Sequence, residues 1–267
     1  MSCKRDGGDN VNPEEPIGDL AGRTAIVVGA SRGLGRGIAS ALAGAGAPVI
    51  AVARDRALLE SLANSTHHIK PAPGDASDPA LPGRLLDDYD PQIVVLVAGA
   101  VPFMRPLQQQ TWETFSIHWQ SDVRITFHWL REALIKPLRP GSRVIVISSG
   151  AAISGSPLSG GYAGAKATQR FITGYTQDEA RRADLGIEFT TVLPRITPLT
   201  EVGRPAVRAY ALRNGQTEEE YLLGMGVPLT PEGAGVAVVE LVQADPPTLA
   251  PGYLLTGAGL MELPDGT

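Results

Sequence analysis

Thr24-Ala25-Ile26-Val27-Val28-Gly29-Ala30-Ser31-Arg32-Gly33-Leu34-Gly35-Arg36-Gly37 decides how this chain is read. Thr24–Val28 is a short apolar run rich in β-branched residues, which predicts a buried strand. Glycines follow at 29, 33, 35 and 37, and Ile38 and Leu42 then recur with helical spacing up to Gly46. The order is strand, glycine-rich turn, helix. Glycines permit a tight turn and a close approach of phosphate, which the free N–H groups and dipole of a helix N-terminus favour. The spacing Gly-x-x-x-Gly-x-Gly differs from the commoner Gly-x-Gly-x-x-Gly. An ordinary strand-to-helix turn is the competing reading, and the rest of the chain has to decide.

Working outward, Pro48–Ala53 reads as a second strand, followed by Arg54 and a helix to about Asn64. An acidic residue at this strand end would bind a ribose 2′-hydroxyl, whereas arginine accommodates a 2′-phosphate. Arg54 stands there, with Arg32 in the glycine-rich turn, and two guanidiniums suit a phosphate. NADP(H) is therefore favoured and NAD(H) is the alternative. His67–Ala72 reads as a short third strand, and Asp75 after it is a candidate adenine contact. His67 and His68 would point to opposite faces, so no metal site is expected. Asp78–Asp88 reads as a helix. Ile93–Val97 is a buried strand ending at Ala98-Gly99. A long helix with Trp112, Phe115, Trp119, Phe127 and Trp129 is expected over 111–134, its aromatics serving core and subunit contacts.

Arg143–Ser148 is a further buried strand, leading into Ser149 and a loop of small residues. A helix is expected from about Ser159. On it Tyr162 and Lys166 are four apart and share a face. A cation beside a phenol favours the phenolate, so Tyr162 is a candidate general acid/base. Ser149 is placed to hydrogen-bond the same substrate oxygen. Ile187–Leu193 is another strand, stopped by Pro194. Residues 198–227 form a loosely patterned segment read as a substrate lid. Pro231–Gln243 is a helix with proline at its start, and Gly252–Gly257 is a last strand and turn. Strands alternating with helices predict a single α/β domain with a doubly wound parallel sheet, ligands lying beyond the carboxyl ends of its strands.

The chain has 267 residues, 43% of them apolar, and a net charge of -5. No basic run points to nucleic acid, and no apolar span of about 18 residues points to a membrane. The single cysteine, Cys3, excludes an intramolecular disulfide and fits a cytoplasmic location. Residues 1–19, charged and rich in glycine and proline, are read as a disordered tail before a domain over 20–267.

Gly29-x-x-x-Gly33-x-Gly35, Tyr162-x-x-x-Lys166, and Ser149 thirteen residues before the tyrosine together resemble the short-chain dehydrogenase/reductase family, over about residues 20–260. The resemblance implies a Rossmann-type sheet of about seven strands, NAD(P)(H), hydride transfer between a carbonyl and an alcohol on a small molecule, and a homodimer or homotetramer. It implies that Ser149 orients the substrate oxygen, Tyr162 exchanges its proton, and Lys166 stabilises the phenolate and binds the nicotinamide ribose. Gly29, Ser31, Arg32, Gly33, Leu34, Gly35, Arg54, Asp75, Ala76, Ala98 and Gly99 would contact cofactor, as would Tyr162, Lys166, Pro194, Ile196 and Thr197. The chain departs from the family in three places. Leu96-Val97 replaces the asparagine pair before Ala98-Gly99. Asp122 stands where the family's catalytic asparagine supports a water relay to the lysine, partly through its backbone carbonyl. Pro194-Arg195 replaces Pro-Gly, making Arg195 a candidate clamp for an anion. These departures keep open a second reading, a cofactor-binding redox sensor or scaffold with little or no catalysis.

Overall fold

The computed structural model describes residues 20–264, so the expected tail at 1–19, with Cys3, lies outside the described residues. The strands are β1 (Ala25–Val28), β2 (Val49–Ala53), β3 (Ile69–Pro73), β4 (Ile93–Leu96), β5 (Arg143–Ile147), β6 (Glu188–Pro194), β7 (Gly252–Thr256) and β8 (Gly259–Glu262). They form one sheet in the order β3-β2-β1-β4-β5-β6-β7-β8. All neighbours are parallel except β7 and β8. The helices are α1 (Gly33–Gly44), α2 (Arg56–Ser65), α3 (Ala80–Tyr89), α4 (Trp112–His118), α5 (Arg124–Ile135), α6 (Ala151–Ser154), α7 (Gly160–Arg182), α8 (Gly203–Arg213), α9 (Glu218–Met225) and α10 (Pro231–Gln243).

The sheet is covered on both faces because its strands are apolar on both faces, as parallel sheets require. Alternate residues divide between two cores. Ala25, Val27, Ile145 and Val192 pack with Ile38, Leu42 and Leu59 and with Val238 of α10. Ile26, Val28, Val94 and Val146 pack with Leu81, Leu85, Trp129 and Leu130. β1 lies between β2 and β4, so strand order reverses there and leaves a crevice beyond the carboxyl ends.

Three expectations change. The sheet has eight strands where about seven were expected, because Gly259, at φ +107°, turns the chain back into the antiparallel β8. The single helix over 111–134 is α4 and α5 joined by a wide π-type turn, Trp119–Val123. Of its aromatics, Trp129 is 2% exposed, while Trp112, Trp119 and Phe127 are exposed. The loop after β5 contains the short α6, and residues 198–227, expected to be a lid, contain α8 and α9.

α1 and α10 cross in backbone contact. A Cβ on Gly37 would stand 2.0 Å from the Pro231 carbonyl oxygen, whereas Gly44 at the end of α1 has open space. Gly37→Ala is therefore expected to cost about 1–3 kcal/mol and Gly44→Ala to stabilise by about 0.4–1 kcal/mol, opposite shifts readable in urea unfolding midpoints.

Candidate active site

The expected site residues gather at the carboxyl ends of β1, β4, β5 and β6. After β1, Gly29 has φ +96°, and a Cβ there would lie 2.6 Å from the Ala98 amide nitrogen. A Cβ on Gly35 would lie 2.1 Å from the Gly29 carbonyl oxygen. The glycines therefore serve close backbone packing, between strand ends and within the turn. Ser31 is buried, Leu34 packs on the core, and Arg32 is the N-terminal flanking residue of α1. No side chain caps α1 and its first turn carries no acid. Those uncapped N–H groups and the small residues around them fit a pyrophosphate. The segment after β6 stands over this cradle. Thr200 Cγ2 would lie 3.5 Å from a Cβ on Gly33, and Glu201 pairs with Arg32.

At the end of β2, Arg54 is exposed, and the neighbouring Asp55 carboxylate caps α2 by accepting the Leu58 N–H at 3.1 Å. Asp75 is exposed, and its carboxylate accepts the N–H and hydroxyl of Ser77 at 3.0 and 2.8 Å. Those bonds, and more weakly Arg54, hold its carboxyl below the usual range. Ala76 is buried and its carbonyl accepts the Trp129 indole N–H at 3.4 Å. On the β6 side, the Pro194 carbonyl accepts the Gly150 N–H at 2.9 Å and Ile196 is half-buried. Thr197 is buried, its hydroxyl donating to the Leu229 carbonyl at 2.6 Å. Arg195 is exposed and its charge acts on Tyr221 of α9. Tyr210 of α8 hydrogen-bonds Ser156, joining α8 to the loop after β5.

The chemistry centres on α7. Its i,i+4 spacing sets the Lys166 Nζ 5.5 Å from the centroid of the Tyr162 ring. Ser148 donates to the Lys166 carbonyl at 2.8 Å, pinning α7 to the end of β5. Ser149, half-buried, accepts the Ala151 N–H at 3.2 Å. Asp122, wholly buried in the π-type turn, faces Lys166 across 3.1 Å. The contact is an ion pair between two buried groups. Oδ1 accepts the Ala100 N–H at 2.8 Å and the Ser121 hydroxyl at 2.7 Å. A Cβ on Gly99 would meet the same carboxylate at 2.5 Å, so that glycine makes room for it. The Asp122 carbonyl, expected to serve a water relay, accepts Thr126 and Gln169 at 2.9 and 3.1 Å. It is the carboxylate that meets the lysine.

Burial pushes the Asp122 carboxyl up, but Lys166, His118 and Ser121 outweigh it and hold the group well below the usual carboxylate range. Burial likewise pushes Lys166 down, and Asp122 with Tyr162 outweighs that to hold it above the usual lysine value. His118, Ser148 and Gln169 contribute to this cluster without having been singled out in the sequence. His118 shares the four-residue spacing of Tyr162 and Lys166, but nothing local says that it faces them.

The sequence profile described as short chain dehydrogenase matches residues 23–210. The chain belongs to the short-chain dehydrogenase/reductase family. A short-chain type dehydrogenase/reductase of Picea abies is 30% identical over 203 residues, 69% of this chain and 75% of that protein. Human L-xylulose reductase is 35% identical over 105 residues, 39% of this chain, and the match spans only 43% of the human protein. Chicken (Gallus gallus) D-erythrulose reductase is 32% identical over 138 residues, 50% of this chain and 56% of that protein. A dehydrogenase/reductase from Sinorhizobium meliloti 1021 superposes with a TM-score of 0.72 at 23% identity, covering 89% of this chain and 94% of that one, a likeness of fold.

In this chain a buried carboxylate is in contact with the lysine. Asp122→Ala leaves a buried unpaired ammonium and is expected to cost about 3–5 kcal/mol. Because the folded-state carboxyl is depressed, the pair's contribution is present above the ordinary carboxylate value of about 4 and is lost as pH falls through the folded value. Unfolding midpoints measured between neutral and acid pH should fall less steeply in Asp122→Asn than in the wild type.

Proposed function

We propose that this chain is an NADP(H)-dependent oxidoreductase that interconverts a carbonyl and a secondary alcohol, with Tyr162 moving the proton. The observation that carries this reading is the buried Lys166 ammonium 5.5 Å from the Tyr162 ring, at the crevice end of the sheet. The reductase names of the human and chicken relatives support it. A nicotinamide cofactor held over the uncapped start of α1 would supply or accept the hydride. Ser149 orients the substrate oxygen. Tyr162 gives its phenolic proton to the carbonyl oxygen in reduction and takes the hydroxyl proton in oxidation. Lys166 stabilises negative charge on the phenol oxygen.

Arg54, exposed at the end of β2, supports the 2′-phosphate, and one carboxylate oxygen of the adjacent Asp55 is engaged as the cap of α2. Two observations favour the rival readings. The Glu201 carboxylate on Arg32 neutralises one guanidinium, which favours NAD(H). The Asp122 carboxylate on Lys166 favours a cofactor-binding protein of low turnover. Titration of NADPH and NADH, followed by cofactor fluorescence, separates them. Expected are tighter binding of NADPH and its selective weakening in Arg54→Ala. In Tyr162→Phe, turnover should fall about 10²–10⁴-fold with NADPH binding retained. Retained turnover in Tyr162→Phe sinks the assignment of the proton to that residue.

A homo-oligomer joined through α5 and α7 is part of the same proposal. These helices leave Phe127, Ile135, Phe171 and Tyr175 more than half exposed, and Phe127 and Ile135 line a groove of about 270 Å3 with Ile172 and Thr176 of α7. Phe171→Glu is expected to lower the mass seen by light scattering; an unchanged mass rejects that face.

A further inference from the structure

Two residue pairs with the same spacing face each other. On α7 they are Tyr162 and Lys166; at the end of α4 and in the π-type turn they are His118 and Asp122. His118 stands edge-on to Tyr162, with ring centroids 5.1 Å apart and planes at 79°, and Asp122 faces Lys166. The two helical runs come this close because of Gly161, whose added Cβ would lie 2.0 Å from the Phe115 carbonyl oxygen. His118 is 2% exposed, and its Nδ1 lies 3.4 Å from Asp122 Oδ1. A carboxylate only accepts, so this contact is favourable when Nδ1 carries the hydrogen. His118 and Tyr162 also line a cavity of about 10 Å3, with Phe103, Gln110 and Ser159 among its other walls. None of those other three walls is charged. The titratable groups facing His118 are Asp122 from its own run and Tyr162 from α7, with Lys166 behind Asp122.

We propose that His118 is a positioning residue for Tyr162, acting through its ring edge and through its hydrogen bond to Asp122. The inference rests on the reading of Tyr162 as the proton carrier. The edge contact limits rotation of the phenol ring. The Nδ1–H draws carboxylate charge toward itself, so that Asp122 cancels less of the Lys166 ammonium and more of that positive field reaches Tyr162. Without this donor the carboxylate acts on Lys166 and Tyr162 with less opposition.

Two variants separate the ring from the donor. His118→Phe keeps an aromatic edge and removes the N–H, whereas His118→Gln keeps a donor and removes the ring. For a carbonyl substrate accepted by the wild type, the pH profile of kcat in His118→Phe is expected to move to higher pH by about half a unit, a threefold change in the governing constant. In His118→Gln the profile should stay in place while kcat falls. Unchanged NADPH binding and unfolding midpoint establish that each variant is folded. Nitrogen-15 spectra of the imidazoles give a readout independent of turnover. The chain has four histidines, and His118 is assigned by its loss in the Gln variant. The expected spectrum has Nδ1 protonated and shifts on Asp122→Asn. Superimposable profiles for wild type and His118→Phe, or equal displacement in Phe and Gln, overturn the proposal. So does a His118 signal that does not respond to Asp122→Asn. If the wild type turns over no carbonyl at all, the reading of Tyr162 falls, and the nitrogen spectra still decide the His118–Asp122 bond.

Discussion

A buried carboxylate and a buried ammonium 3.1 Å apart govern the arrangement of this site. Neither charge is tolerable alone in a water-excluded interior. The surrounding backbone is organised to make their meeting possible. Gly99 leaves room for the Asp122 carboxylate, and Ala100 and Ser121 satisfy its second oxygen. Ser148 fixes the turn of α7 that carries Lys166. Gln169 reaches back from the next turn of α7 to the Asp122 carbonyl and the Thr126 hydroxyl. The Tyr162 ring is placed by the same helix and inherits its position from these bonds.

The ion pair also alters the electrostatics beside the phenol. An ammonium without a counter-charge would act at full strength on Tyr162. Here a carboxylate stands 3.1 Å from it and is itself shared with an imidazole and two further donors. The local field is the sum of opposing buried charges.

What could be read from residues alone was whatever is local. Tyr162 and Lys166 share a helix face by spacing, the glycines at 29, 33 and 35 mark a tight turn, and continuous apolar strands alternating with helices mark a doubly wound sheet. Contacts between distant elements were not legible. His118 is a histidine in an aromatic stretch until α7 is set against it, and Glu201 is a loop acid until it meets Arg32. The break in the long helix carries no proline or glycine over 119–123. It coincides with bonds from Gln169 and Thr126 to the Asp122 carbonyl, the first of them tertiary. The extra strand β8 was missed because its hairpin depends on the left-handed Gly259.

The wide turn at Trp119–Val123 makes chain length, and not only residue type, part of the site. Each residue added to or removed from a helix rotates everything beyond it by roughly 100°. A π-type turn is one extra residue accommodated without disturbing the flanking helices. Removing a residue between Trp119 and Asp122 would swing the carboxylate away from Lys166, or else swing the apolar face of α5, with Ile125, Trp129 and Leu130, out of the core. Exposed side chains in this turn, such as Gln120, are open to exchange, but the number of residues is not.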